Sequence, residues 1–287
     1  MSFIALLSPA ELIALVGVLG LLVGSFLNVV ILRLPARLEH AWRSEAQEVL
    51  GLAADAPAAP PGLVREPSHC PHCRHALAAR DNIPLLSWLL LRGRCRYCRA
   101  PISVQYPLVE LSTALLSAAI AWRFGASVQT VAGLALTWAL VALTGIDLRK
   151  QLLPDPITLP LLWLGLLLGL GHVFISAPQA ILGAVLGYLS LWSVYWLFTL
   201  LTGKEGMGYG DFKLLAALGA WMGAGALLPI VLLSSLVGAV VGSAMIVLRG
   251  RDHSIPIAFG PYLAAAGWIW FVAGDTLLHA YLTLFVR

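Results

Sequence analysis

The sequence predicts an all-α polytopic membrane protein with about eight transmembrane helices and a cytoplasmic zinc-binding loop domain between the first two. Three observations predict this class. The 287 residues are 60% hydrophobic and only 11% charged, with a mean hydropathy of +0.88, whereas soluble domains carry about 25% charged residues. The apolar residues fall in continuous runs near the ~20-residue length that crosses a bilayer, without the alternation of a barrel strand. The cysteines all lie in the one long polar interval.

The first run, 11–32, has no basic segment before it and reads as a retained helix rather than a cleaved signal. A polar interval follows at 34–105, and its Ala/Pro-rich stretch "GLAADAPAAPPG" reads as a linker. The later runs are roughly 106–123, 127–146, 156–173, 179–201, 212–224, 226–248 and 259–283. The sixth is short, and Gly223-Ala224-Gly225 is the expected break before the seventh. This gives three segments: a first transmembrane helix (1–33), a zinc-binding loop domain (34–105) and a transmembrane core (106–287).

Charge placement fixes the expected orientation. Ten arginines, from Arg33 to Arg99, lie in or beside the first polar loop. Arg149 and Lys150, Lys204 and Lys213, and Arg249 and Arg251 lie on alternate loops after it, leaving Arg123 and Arg287 opposite. Positive residues stay on the cytoplasmic side, so both termini are expected outside. The net charge of +4 is thereby a membrane-orientation signal, and no nucleic-acid partner is expected.

"CPHC" and "CRYC" place Cys70, Cys73, Cys95 and Cys98 as two C-x₂-C pairs about 21 residues apart. Each pair presents two thiolates from a tight turn, and two turns make a tetrahedral cage suited to Zn²⁺. A reducing cytoplasm disfavours disulfides. Iron is a second candidate metal, and His69, His72 and His75 are competing ligands. A closed four-thiolate site is structural, and metal binding supplies folding energy to an interval poor in apolar residues.

Carboxylates near lipid are costly and need a reason. Asp147 lies at the cytoplasmic end of the third run, and Asp211, in "GMGYGDFK", at the cytoplasmic start of the sixth. Two carboxylates at one depth can share a proton, one drawing a proton from water while the other donates to a scissile carbonyl. Gly208 and Gly210 then leave room for a substrate backbone. A plainer alternative makes Asp211 the N-cap of a helix. Asp155, before Pro156, reads as another N-cap, and Lys213 as a headgroup anchor. Glu110 pairs with a loop arginine or lines a polar cavity, while Ser25 and Asn28 read as interhelical contacts. A transporter with paired interfacial aspartates is the alternative to a hydrolase.

Taken together, "GSFLNVVILRLP", the cysteine pairs, "NIPLLSWLLLRGRCRYCRAPIS", "YPLVELSTALL", "IDLRKQLLPDPITLPLLWLGLL" and "KEGMGYGDFKLLAALGAWMG" resemble the type IV prepilin peptidases, or leader peptidase/N-methyltransferases, of the GxGD aspartic protease group. The resemblance covers nearly the whole chain except the Ala/Pro-rich linker. It implies a bifunctional enzyme of the bacterial inner membrane whose active site faces the cytoplasm. Such enzymes cut the leader from type IV prepilins or type II secretion pseudopilins after a glycine. They then methylate the new amino terminus with S-adenosylmethionine. The family's catalytic aspartates fall on Asp147 and Asp211, and its zinc ligands on Cys70, Cys73, Cys95 and Cys98. The absence of a Gly-rich nucleotide motif leaves the methyl-donor residues unknown, with Glu205 and the loop around the zinc as candidates.

Overall fold

A computed structural model describes residues 7–52, 59–204, 206–249 and 258–285. Glu205, Arg251, Arg287 and half of the Ala/Pro-rich linker lie outside the described residues. The helices are α1 (Pro9–Val49), α2 (Leu86–Leu90), α3 (Gln105–Phe124), α4 (Val128–Lys150), α5 (Asp155–Leu170), α6 (Ala177–Thr202), α7 (Tyr209–Met222), α8 (Leu227–Arg249) and α9 (Gly260–Phe285). Among the described residues there is no β-strand beyond two isolated bridges.

Four spans, Pro9–Val49, Val128–Lys150, Ala177–Thr202 and Ala224–Met245, are long and apolar enough to cross a membrane, and Asp155–Leu170 is a shorter apolar helix. Their outward faces carry large apolar residues, such as Leu15, Val18, Trp163, Leu197 and Leu232. Water would not tolerate that much contiguous apolar surface.

Chain contacts divide the protein into two compact units, Met1–Thr130 and Val131–Arg287. The first joins α3 to α1. The buried face of α1 carries Val16, Gly20, Gly24, Leu27, Asn28 and Ile31, at the spacing of one helical stripe. Asn28 crosses from that stripe to α3, its Nδ2 donating to the Tyr106 carbonyl at 3.1 Å. This is the interhelical contact expected of it.

The N-terminus of α1 is closed by a capping box: Ser8 accepts from the Glu11 N–H, and the Glu11 carboxylate accepts from the Ser8 N–H. The helix then runs 41 residues, about 60 Å at 1.5 Å per residue. It passes Pro35 and continues well beyond the expected end at 32, so the first part of the supposed loop, 34–49, is helical. "ARLEHAWRSEAQEV" explains this: it is rich in strong helix formers and holds no glycine.

In the second unit α7 is the central helix. Phe212, Leu214, Leu215, Leu218 and Trp221 are fully buried, and α5, α6, α8 and α9 pack around it. The Trp221 indole donates to the Leu161 carbonyl of α5 at 2.8 Å, and Trp268 of α9 donates to Thr137 Oγ1 of α4 at 3.0 Å. Each apolar ring thus has its polar N–H satisfied inside the unit. α7 ends at Gly223, whose φ of +79° turns the chain through a short 3-10 segment into α8. The break expected at Gly223-Ala224-Gly225 lies there.

Candidate functional site

Two local centres carry the chemistry, one in each unit. In the first, the two Cys turns are built alike. The Cys70 N–H donates to the His75 carbonyl and the Arg74 N–H to the Cys70 carbonyl, at 3.0 and 2.9 Å. Cys95 and Arg99 repeat the pattern with the Ala100 carbonyl and the Cys95 carbonyl, at 2.8 and 3.1 Å. Arg74 and Arg99 both take positive φ, 57° and 60°. The turns bring the four Sγ atoms within 4.8 Å of one another, and Cys70 and Cys98 stand 3.8 Å apart. A tetrahedral zinc with Zn–S near 2.3 Å requires S···S separations of about 3.8 Å. The thiols therefore fit a zinc ion, and none forms a disulfide.

The histidines do not join this cluster. His75 instead stacks on Tyr97 with ring centroids 3.7 Å apart, tying one turn to the other. Burial pushes the Cys70 thiol up, but the N–H groups of Cys73 and His72 and the thiols of Cys73 and Cys95 bring it down to about 6. Cys98 is lowered by the Ala100 N–H, yet desolvation and the three other thiols carry it up to about 11. The four sulfurs thus behave as one interacting set, the electrostatic setting a divalent cation relieves.

Beside α1 lies a cleft of about 400 Å³, lined by Leu22, Ser25 and Phe26 of the helix and by Val64, Glu66 and Asn82 among others. Its outer wall is pinned by Arg33, whose guanidinium donates to the carbonyls of Gly62, Glu66 and Pro67 at 2.7, 3.1 and 3.2 Å. Glu110 of α3 sits behind this cleft. It accepts from the Leu85 N–H at 2.7 Å and from the Ser25 hydroxyl. Of the two roles expected for Glu110, the arginine pairing is not the one found.

In the second unit, Asp147 of α4 is 5% exposed and Asp211 of α7 8% exposed. They are close enough for their charges to repel. Asp147 accepts from the Gly260 N–H at the start of α9. Asp211 Oδ1 is buried with no hydrogen-bond partner, a costly condition that folds retain at sites of function or strain. Asp211 is not an N-cap. That position is Gly208, and Asp211 is the third residue of α7.

Three elements meet through Leu153. A Cβ on Gly210 would lie 2.8 Å from Leu153 Cβ, and one on Gly260 would lie 3.0 Å from Leu153 Cδ2 and 2.6 Å from Asp147 Oδ2. Gly210 is therefore a packing glycine, while the space beside Gly208 is open. Of the two glycines expected to admit a substrate, only Gly208 has free space.

Lys213 is not a free headgroup anchor. Its ammonium bonds both oxygens of Asp155, at 2.7 and 2.8 Å. Asp155 occupies the first turn of α5, with Pro154 as the cap, one residue earlier than expected. The pair ties α5 to α7. An aromatic group, Tyr195, Tyr209 and Phe212, with centroids 5.2–5.7 Å apart, fixes the start of α7 against α6. Gly260 and Leu153 were not singled out from the sequence. The Gly-Pro pair in "FGPY" before an apolar run was the available signal for Gly260.

Comparison with known proteins covers both units. Residues 18–124 match the Bacterial Peptidase A24 N-terminal domain, and residues 134–243 match the Type IV leader peptidase family. A prepilin leader peptidase/N-methyltransferase of Xanthomonas campestris pv. campestris is 58% identical over 264 residues, 92% of each chain. One from Aeromonas hydrophila is 58% identical over 95% of this chain and 94% of its own. One from Neisseria gonorrhoeae is 49% identical over 98% and 96%. No solved structure gives a significant match. Identity at this level along both units means that the chain belongs to the type IV leader peptidase family.

Proposed function

We propose that this protein cleaves the leader of type IV prepilins or pseudopilins at the cytoplasmic membrane face and then N-methylates the new terminal residue. Near-complete alignment with enzymes carrying both activities in their names supports the pairing. Eight membrane-crossing helices, an inner-membrane location and a cytoplasmic active site belong to this reading. So do the three segments 1–33, 34–105 and 106–287.

The observation that carries the peptidase assignment is the buried, unpartnered Asp211 oxygen within electrostatic reach of Asp147. Two carboxylates that cannot both ionise freely hold one proton between them. The ionised one takes a proton from water as the water oxygen attacks the scissile carbonyl carbon. The protonated one donates to the carbonyl oxygen, and collapse of the tetrahedral adduct breaks the C–N bond with proton return to the leaving amine. The Gly260 N–H orients Asp147, and the open space at Gly208 admits the substrate backbone.

Cys70, Cys73, Cys95 and Cys98 hold a structural zinc, which cross-links the two turns. S-adenosylmethionine supplies a methyl group on a cationic sulfur. With no strand among the described residues, a Rossmann crossover is not its support. The test incubates the purified protein with a prepilin and isotopically labelled donor, and reads leader and labelled methyl by mass spectrometry. An intact prepilin after prolonged incubation rejects the reading.

A further inference from the structure

The Asp pair lies wholly in the second unit. The first unit holds a cleft whose chemistry is uncommitted. Its volume of about 400 Å³ lies within the range of small-molecule sites, about 300–1,000 Å³. None of its described lining residues is basic. Arg33, which holds the wall, has three of its five N–H groups engaged by backbone carbonyls.

The acids are placed differently. Glu66 lines the cleft directly. Glu110 stands one hydrogen bond behind it, through the Ser25 hydroxyl. Both partners of Glu110, the Leu85 N–H and Ser25, donate to it, so its oxygens are arranged as acceptors. Ser25 Oγ, having given its hydrogen to Glu110, presents lone pairs to the cleft. Phe26 is 45% exposed and offers a flat face, and the Asn82 amide offers both a donor and an acceptor. Small apolar walls, an aromatic face, one amide and two carboxylates fit a cation attached to a purine nucleoside.

We propose that this cleft binds the methyl donor, S-adenosylmethionine, with Glu66 and the Ser25–Glu110 pair facing its sulfonium and Phe26 and Asn82 receiving the adenine. The inference rests on the methyltransferase half of the proposed function. On transfer, the lone pair of the acceptor amine forms a bond to the methyl carbon while the carbon–sulfur bond breaks. The bonding pair stays on sulfur, leaving a neutral thioether, and the amine's surplus proton leaves to solvent. Attraction of the acids for the ligand therefore falls as the product forms, which favours exchange of product for fresh donor. Glu110 acts through Ser25 and is a positioning residue.

The experiment is calorimetric titration of the full, detergent-solubilised chain with three probes. These are S-adenosylmethionine, sinefungin, which carries an amine in place of the sulfonium, and S-adenosylhomocysteine, which is neutral at that position. The two cationic probes bind about tenfold more tightly than the neutral one, by added Coulomb attraction. Glu66→Gln, at an exposed position, lowers affinity for both cationic probes and leaves the neutral probe within about twofold. Glu110→Gln does the same, a split that a merely structural loss would not give. Val64→Trp, which fills the cleft, weakens all three. Wild-type affinity for all probes in all three variants, while wild type still methylates a prepilin, overturns the site and spares the proposed function. Wild-type protein that transfers no methyl group overturns both.

Discussion

Gly260 leaves no room for a side chain beside Asp147: a Cβ there would stand 2.6 Å from Asp147 Oδ2. The same residue's N–H bonds that carboxylate. The start of α9 thus sets the position of an acid on α4. Gly260→Ala is expected to displace Asp147 and cut leader cleavage by about 100-fold, the usual cost of an ångström-scale misplacement. Gly260→Val is expected to cost more. Zinc content and expression should stay unchanged, and initial cleavage rates on a prepilin check the claim.

The Lys213–Asp155 pair is a surface-side tie between α7 and α5, with Lys213 and Asp155 side chains 29% and 50% exposed. Such a pair contributes about 0.2–1 kcal/mol. Lys213→Met and Asp155→Asn should each lower stability slightly and cleavage a few-fold. The exchanged pair, Lys213→Asp with Asp155→Lys, should recover much of the loss. A double-mutant cycle on thermal stability and rate measures the coupling. Complete inactivity of Lys213→Met with a silent Asp155→Asn would mean that the lysine serves Asp211 instead.

The cysteine cage predicts one zinc per chain by elemental analysis of purified protein. Cys70→Ser or Cys95→Ser, at the two buried thiols, should abolish stoichiometric metal. Because zinc binding contributes on the order of 10 kcal/mol to such small sites, chelation should also expose the segment to protease. Protons compete with the metal for thiolates, so extraction should quicken as pH falls from neutrality towards 5. Metal retention independent of pH would contradict the assignment.

The proposed eight-span arrangement predicts sidedness. Single cysteines at Ala126, between α3 and α4, and at Lys204, after α6, should react with a membrane-impermeant maleimide from opposite sides of the membrane. They are to be placed in a background lacking the native thiols. Labelling of both from one side would contradict the topology.

Much of this was legible in the sequence, for identifiable reasons. Helix positions follow from apolar run length, and the α7–α8 break from Gly223 with its positive φ. The Cys turns follow from local spacing alone. The polar extension of α1 was hidden because a span ends where apolarity ends, while a helix ends only where its backbone does. Helix entry at Asp155 and Asp211 was misplaced by one to three residues, since Pro154 and Gly208 cap without side-chain bonds. The Lys213–Asp155 pair joins residues 58 apart, and the Leu153–Gly210–Gly260 contact joins three elements. Neither has a local signature.

The most direct test of the central claim uses Asp147→Asn and Asp211→Asn, which keep shape and remove the titratable proton. Each purified variant is given intact prepilin, and separately a prepilin already freed of its leader, with labelled S-adenosylmethionine. The account predicts a fall in leader cleavage of about three orders of magnitude or more for both variants, with methylation of the pre-cleaved substrate retained. Near-normal cleavage by either variant would contradict it.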